Sequence, residues 1–456
     1  MTRILTSSAR QALLALLSEW CDNNVVANTL DECELLAEEV RDLVGQAVFE
    51  AGLHFQEGKS TYKGSHIPCS CGDRARFLSY RTRWIRTLYG EAQMKRAYYH
   101  CSACHKGQFP WDIAQGLTKK TESPRLKSVV CQVMGRLVYA EGVALLADLC
   151  GVHMEESTAE SLVKEVGMRI RQEEQARVKI VQTMTERATA ERLMVDDDDD
   201  CSVVPLEMKS VQGSRLYIGA DATTAHIDGS WHNVQNGIVF TVSPDANGRD
   251  SLAERAYLAG RMDMESLGWR LRTLAMTWNI QAYDEIVFLA DGAPCNWNLA
   301  SAHFPGAIQI LDFWHASEHV WELGRALYRQ DDPAQKALSN RWVEDRLNSL
   351  KTQGPASLLR ALRRRRGKTA EQKEALRKAL HYFEENAKRM NYPQHLAARR
   401  MIGSGPIEAA CKSVVGARLK QTGMRWSNVG ADAILAVRTT LLNRETESLR
   451  LCAKAA

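Results

Sequence analysis

The sequence predicts an α/β protein, a mixed sheet with helices on its faces, preceded by a helical and cysteine-rich front end. Three observations predict it. Short apolar runs alternate with helical stretches between residues 214 and 320. A long region from Trp314 to Tyr392 carries little but helical periodicity. Near the start, two close cysteine pairs, Cys69/Cys71 and Cys101/Cys104, flank strand-like alternation.

Size and composition bound the rest. A chain of 456 residues, 45% hydrophobic and 25% charged, has ample core for two or three domains. The net charge is only +4, so any basic surface must come from local clustering. Twelve irregularly spaced cysteines, with no secretory leader, predict a soluble protein of a reducing cytoplasm (a prokaryotic cytosol or nucleoid), where cysteine clusters bind metal more often than they form disulfides.

In chain order, residues 1–60 form a helical segment, with Leu35, Val40, Leu43, Val44 and Val48 at helical spacing. It carries no chemistry and suits packing on a neighbour or pairing two subunits. Residues 61–115 form a small β-hairpin module. Tetrahedral zinc needs four thiolate or imidazole ligands, and Cys69, Cys71, Cys101 and Cys104 supply them; His66, His100 or His105 could replace one. Reduced cysteines in a plain hairpin are the alternative. The basic and aromatic residues of the hairpin (Arg81, Arg83, Trp84, Arg86, Lys95, Arg96, Tyr98, Tyr99) suit phosphate contact and stacking, or equally one wet face of a twisted ribbon. Residues 120–192 are helical. Tyr139 to Gly167 reads as a helix-turn-helix with a second helix from Ser157 or Thr158, or as part of a three-helix bundle. Residues 193–213, with five consecutive aspartates from Asp196 to Asp200, form a solvated linker.

Beyond Gly213, Arg215–Ala220 forms a strand ending at Asp221, Gly237–Val242 a hairpin partner, and Ala256–Ala259 a third strand. Ile286–Leu289 is an unbroken apolar run, as a strand buried on both faces requires, and it ends in Asp291-Gly292. Ala307–Leu311 ends in Asp312. Pro406 in the first turn opens a late helix carrying Glu408. If the first and fourth strands are neighbours, Asp221 and Asp291 converge at one sheet edge, where α/β proteins collect their chemistry. A helix docked there would add Glu408. Carboxylates suit Mg²⁺, and paired ions of this kind serve in-line phosphoryl displacement. No convincing nucleophilic serine or cysteine competes.

These residues carry a resemblance. Asp221, LADG ending just past Asp291, ILDFWHASEHV, and MIGSGPIEAACKSVVGARLKQTGMRW look like the catalytic domain of DDE insertion-sequence transposases of the Kra-type (ISKra) group, and KRAYYHCSACHKGQFPWD looks like that group's N-terminal region. The first cysteine pair is one residue shorter than that group's usual Cys-Pro-x-Cys, and Cys295 stands where the group more often has an aromatic. The resemblance implies an RNase H-like catalytic core over 214–320, an all-helical insertion over 321–400 and catalytic helices over 401–456. It implies cleavage and joining of double-stranded DNA at terminal inverted repeats, with insertion into target DNA. It implies a homodimer or larger assembly, and Asp221, Asp291 and Glu408 as the ligands of two Mg²⁺ or Mn²⁺ ions. His315 would line the DNA-facing edge. Lys412, Arg418, Lys420 and Arg425 could hold phosphates, with Trp426 stacking on a base or filling the core. Arg363 and Arg364 belong to a basic run that is either a solvated face or a backbone clamp. Two rivals stand beside this. A transposase-derived DNA-binding protein could have lost cleavage. Alternatively, His315-Ala-Ser-Glu318-His319 fits the His-x-x-Glu-His pattern of a zinc peptidase, which leaves Asp221 and Asp291 unused.

Overall fold

A computed structural model describes residues 7–24, 27–117, 119–191, 214–244 and 250–454. The acidic run Asp196–Asp200 and the linker around it lie outside the described residues. The chain divides into two compact units: residues up to Leu126, with 150–152 and the chain end, and residues 127–149 with 153–453.

The first unit opens with α1 (Ser7–Asn24) and α2 (Leu30–Ser60). A reciprocal cap starts α2: the Glu32 N–H donates to the Thr29 hydroxyl, and the Thr29 N–H donates to the Glu32 carboxylate, both at 3.2 Å. An antiparallel sheet follows in the order β1 (His66–Pro68), β2 (Arg74–Thr87), β3 (Gly90–Cys101) and β4 (Gly107–Gln108), then α3 (Pro110–Ala114). Leu53, Ile85, Met94, Trp111 and Leu117 form its core. Three of the eight basic and aromatic residues suited to phosphate contact and stacking, Arg83, Arg96 and Tyr99, face inward. Asp112 binds Arg83 at 2.8 Å and Arg96 at 2.6 Å, and Tyr99 is fully buried. Arg81, Trp84 and Lys95 keep an outward, wet face.

The second unit takes in most of α4 (Pro124–Met134), then α5 (Tyr139–Cys150) and α6 (Glu156–Glu191). Helix α6 starts at Glu156, one residue before the expected Ser157 or Thr158, and runs 36 residues to Glu191. Ala159, Leu162, Val163 and Val166 are buried, and Lys164 is paired to Glu160 at 2.7 Å. Gly167 lies against the backbone of Ala433, so a side chain there would collide. These contacts favour the bundle over a helix that displays basic side chains to a groove.

The central sheet has the order β7-β6-β5-β8-β9, built from β5 (Arg215–Ile227), β6 (Ser230–Pro244), β7 (Asp250–Gly260), β8 (Glu285–Ala290) and β9 (Ile308–Leu311). The first three form an antiparallel meander; β8 and β9 run parallel to β5. Helix α7 (Met264–Thr277) crosses from β7 to β8, and α8 (Pro294–His303) from β8 to β9. After β9 come α9 (Phe313–Leu327), α10 (Pro333–Gln353), α11 (Pro355–Arg364), α12 (Ala370–Asn386) and α13 (Tyr392–Ala397). The chain returns to the sheet with α14 (Gly405–Ala410), which runs through a π-helical turn (Cys411–Gly416) into α15 (Ala417–Leu419). Helices α16 (Asn428–Leu442) and α17 (Thr446–Lys454) follow.

The meander strands run longer than expected, β6 from Ser230 and β7 from Asp250. Strand β5 does not stop at Asp221 but continues to Ile227, because β6 pairs with it along its whole length. The hairpin closes at Asp228-Gly229, with φ of 52° and 81°, the left-handed pair that a two-residue turn needs. Only the parallel pairing with β8 stops near Asp221. Among the described residues, no helix is long and apolar enough to cross a membrane.

Candidate active site and metal centre

The parallel register sets the acids. Gly219 pairs with Leu289 and Ala290 with Leu311, so Asp221, Asp291 and Asp312 each follow their strand's parallel pairing at the same level. This edge is formed where the parallel pairing of β5, β8 and β9 ceases, so side chains there can converge.

Each acid is held differently. Asp221 accepts from the Ala222 N–H at 2.7 Å and from the Cys411 thiol at 3.4 Å. Asp291 accepts from the Ala293 N–H at 3.0 Å and from Asn296 Nδ2 at 2.7 Å, both on Oδ1, which orients the carboxylate from one side. Glu408 sits in the first turn of α14, where its Oε1 lies 3.4 Å from Ser404 Oγ. Helix α14 is docked through Ile407, whose side chain occupies the space above Gly219, two residues before Asp221. The three carboxylates therefore reach one edge from three distant parts of the chain.

Asp312 is buried, capping α9 through the Trp314 and His315 N–H groups. Tyr382, from α12, presses its ring against Gly292 and lies 3.9 Å from the His319 ring. Burial raises the Tyr382 phenol, and Asp291 and Asp312 add to the shift. Burial also pushes the Cys411 thiol up to about 12, with Asp221 reinforcing it. None of Tyr382, Ser404 and the Cys411–Asp221 contact stands out in the sequence, because each depends on which helix lands on which strand.

Lys412, Lys420 and Arg425 are exposed. Lys420 Nζ donates to the Thr223 hydroxyl, two residues past Asp221 on β5, whereas Arg425 adjoins Trp426, which bridges to Ile227 near the hairpin turn. His315 is partly exposed, and Trp314, 64% exposed, stands next to it. One expected phosphate contact, Arg418, is corrected, and Trp426 takes the core reading of its two. Arg418 is fully buried: its Nε donates to the Met134 carbonyl at 2.9 Å, and its guanidinium lies 4.8 Å from the Tyr139 ring and 4.9 Å from the Trp426 ring. Burial lowers its pKa to about 10. Trp426 is core, its backbone bridging to Ile227 and Asp228. Arg418 turns inward because the far end of the Glu408 helix meets Met134 and Tyr139, and Trp426, beyond that helix, is drawn in by its bridge to β5. Arg363 and Arg364 are exposed on the helical region, Arg363 paired with Glu384 at 2.8 Å.

Among the described residues, the His-x-x-Glu-His pattern finds no third ligand at metal-binding spacing. His315 and His319 lean on Glu318 and Glu322, at 3.5 and 3.2 Å, along their own helix. Burial lowers the His319 imidazole below its ordinary value, which Glu322 partly opposes.

In the first unit, Cys69, Cys71, Cys101 and Cys104 form a cluster that could hold a metal ion, their sulfurs all within 4.8 Å of one another. Cys69 and Cys104 are 3.5 Å apart, and Cys71 and Cys101 3.6 Å. Four thiolates about 2.3 Å from zinc would stand roughly 3.8 Å apart, so the quartet fits with a small expansion. The short first knuckle works because Gly72, at φ 93°, turns the chain back and donates to the Cys69 carbonyl. The Cys71 backbone N–H holds the Cys69 thiol down to about 6, a head start towards the thiolate that a metal needs. Cys104 is lowered by the Lys106 N–H, yet burial and the neighbouring sulfurs bring it up to about 12. Among the described residues no other histidine, cysteine or acidic group has ligand spacing, so the three carboxylates share an edge without that closeness.

Compared with protein-family models and with curated proteins, the chain matches none, so its chemistry is argued from the carboxylate edge and the cysteine quartet alone.

Proposed function

We propose that this protein is a DNA transposase of an insertion sequence, which cleaves and rejoins strands at its element's ends through Asp221, Asp291 and Glu408. The observation that carries this reading is the convergence at one edge: the β5–β8 register levels the two aspartates, and Ile407 on Gly219 brings in the helix of Glu408. An antiparallel meander extended by two parallel strands, with a helical region before the last acid, supports an RNase H-like core with an insertion.

The donor set is all oxygen, which suits Mg²⁺ or Mn²⁺. When bound, such ions would supply Lewis acidity to the attacking hydroxyl and to the leaving oxygen. The chain's own residues prepare for this. Asn296 and the Ala293 N–H hold one oxygen of Asp291 and leave the other outward. Lys420, held to Thr223 two residues past Asp221, sets positive charge beside that acid, where a phosphodiester would lie. Water would attack in cleavage and a DNA 3′-hydroxyl in joining. The cysteine quartet would hold a structural zinc ion, stabilising a ribbon whose own core is small.

Replacing Asp221, Asp291 or Glu408 singly by Ala should abolish Mg²⁺-dependent nicking of the element's inverted-repeat ends while DNA binding survives. Nicking retained in any one variant rejects that residue's assignment.

A further inference from the structure

Asp312 stands level with Asp291, since its N–H donates to the Ala290 carbonyl at 2.9 Å, yet it differs from the other acids. It is 2% exposed, and its carboxylate is saturated. One oxygen accepts from the Trp314 N–H at 3.2 Å and the Ser404 N–H at 2.9 Å. The other accepts from the His315 N–H at 3.1 Å and the Ser404 hydroxyl at 2.8 Å. A carboxylate offers about four lone-pair sites, so nothing remains for a cation.

Two of the four donors are an ordinary helix cap. The other two belong to Ser404, at the start of α14, on the far side of the helical region. The link is reinforced where the Phe313 N–H donates to the Ile402 carbonyl at 2.8 Å. From Ser404 the chain passes directly to the last acid. The Ser404 carbonyl accepts from the Ile407 and Glu408 N–H groups at 2.7 and 3.1 Å. The Ser404 hydroxyl lies between two carboxylates, 2.8 Å from Asp312 and 3.4 Å from Glu408. A hydroxyl has one hydrogen, and the shorter contact takes it.

We infer that Asp312 is a positioning residue for Glu408, acting through Ser404. It anchors the start of α14 to the end of β9. It also draws the Ser404 hydrogen away from Glu408, leaving that carboxylate's lone pairs open to a cation. The inference rests on the reading of Glu408 as a metal ligand.

The test is Mn²⁺ binding by the full-length protein without DNA, followed by electron paramagnetic resonance, together with the Mg²⁺ dependence of nicking. Asp312→Asn keeps the shape but presents an amide N–H₂ where acceptors are needed, so Ser404 turns its hydrogen to Glu408. It should weaken Mn²⁺ binding and raise the half-saturating Mg²⁺ about ten- to hundredfold, as loss of outer support does at metal sites. Ser404→Ala should weaken Mn²⁺ binding in the same direction, and Ser404→Thr, which keeps the hydroxyl, should restore it. Unchanged Mn²⁺ binding and Mg²⁺ dependence in folded Asp312→Asn and Ser404→Ala, with Glu408→Ala inactive, overturns the inference alone. A Glu408→Ala protein that binds Mn²⁺ and nicks normally overturns the reading beneath it as well. Should Asp312→Asn fail to fold, the Ser404→Ala and Ser404→Thr pair decides.

Discussion

Replacing Gly219 by Ala tests the convergence of the acids at its tightest point. A Cβ there would stand 2.2 Å from Ile407 Cδ1, 2.5 Å from Ile407 Cγ1 and 3.3 Å from the Leu289 carbonyl oxygen. Non-bonded carbons settle at about 3.5–4.0 Å, so Ile407 would have to retreat by roughly 1.5 Å. Ile407 is buried, and its helix carries Glu408 as the next residue, so the retreat moves the acid. Overpacking of this kind costs about 1–3 kcal/mol, which a chain of this size survives. A displacement near 1 Å at a reacting centre can cost about a hundredfold in rate. Gly219→Ala should therefore lower the melting temperature modestly while Mg²⁺-dependent nicking of a labelled repeat-end duplex falls by about two orders of magnitude. Removing the obstructing atoms with Ile407→Ala in the same chain should return part of the activity. Full nicking by Gly219→Ala would refute the reasoning. A double variant no better than the single one would show that the loss had another cause.

Three further outcomes follow from the same geometry. Arg418→Ala should lower stability by about 2 kcal/mol, as loss of a buried charged hydrogen bond does, with the DNA affinity of the folded protein unchanged; weaker binding at an unchanged melting temperature would return Arg418 to the interface. Purified protein should contain close to one zinc ion per chain by elemental analysis, lost in Cys101→Ser or Cys104→Ser; a folded, metal-free wild type would count against the ribbon. Glu285 is held down to about 2 by Arg400, with Arg215 assisting, through contacts of 2.6 and 2.5 Å. Its folded pKa lies below its unfolded one, so its contribution is present above about pH 4.3 and lost as pH falls towards 2. Solvent screening keeps that contribution on the order of 1 kcal/mol. Glu285→Gln should thus be less stable at neutral pH, with the gap closing under acid; a gap that does not close dismisses the ion cluster.

Residues local in the chain were legible before any coordinates. The unbroken apolar run before Asp291 suited a strand buried on both faces, which β8 is, and the Cys101–Cys104 spacing suited a metal knuckle, half of the sulfur cluster observed. Lys420 and Arg418 illustrate what was not legible. Both are basic, two residues apart, and follow Glu408 at similar distances. Yet one reaches Thr223 at the surface while the other is sealed between Tyr139 and Trp426. The π-helical turn at Cys411–Gly416 alters the helical phase just before them, and no residue pattern announced it.

By itself, then, the sequence determined which segments hold strands and helices, though not where each one ends, and which residues could ligate metal. Periodicity and residue chemistry act over a few positions, and these properties need no more. The tertiary structure alone decided that β8 lies beside β5 in a register that levels Asp221 with Asp291, and that α14 docks on Gly219. It also decided that Asp312, an acid like the others in sequence, is saturated by donors. Those outcomes depend on backbone pairing and close packing between segments tens to hundreds of residues apart, where one missing Cβ or one hydroxyl sets the distance.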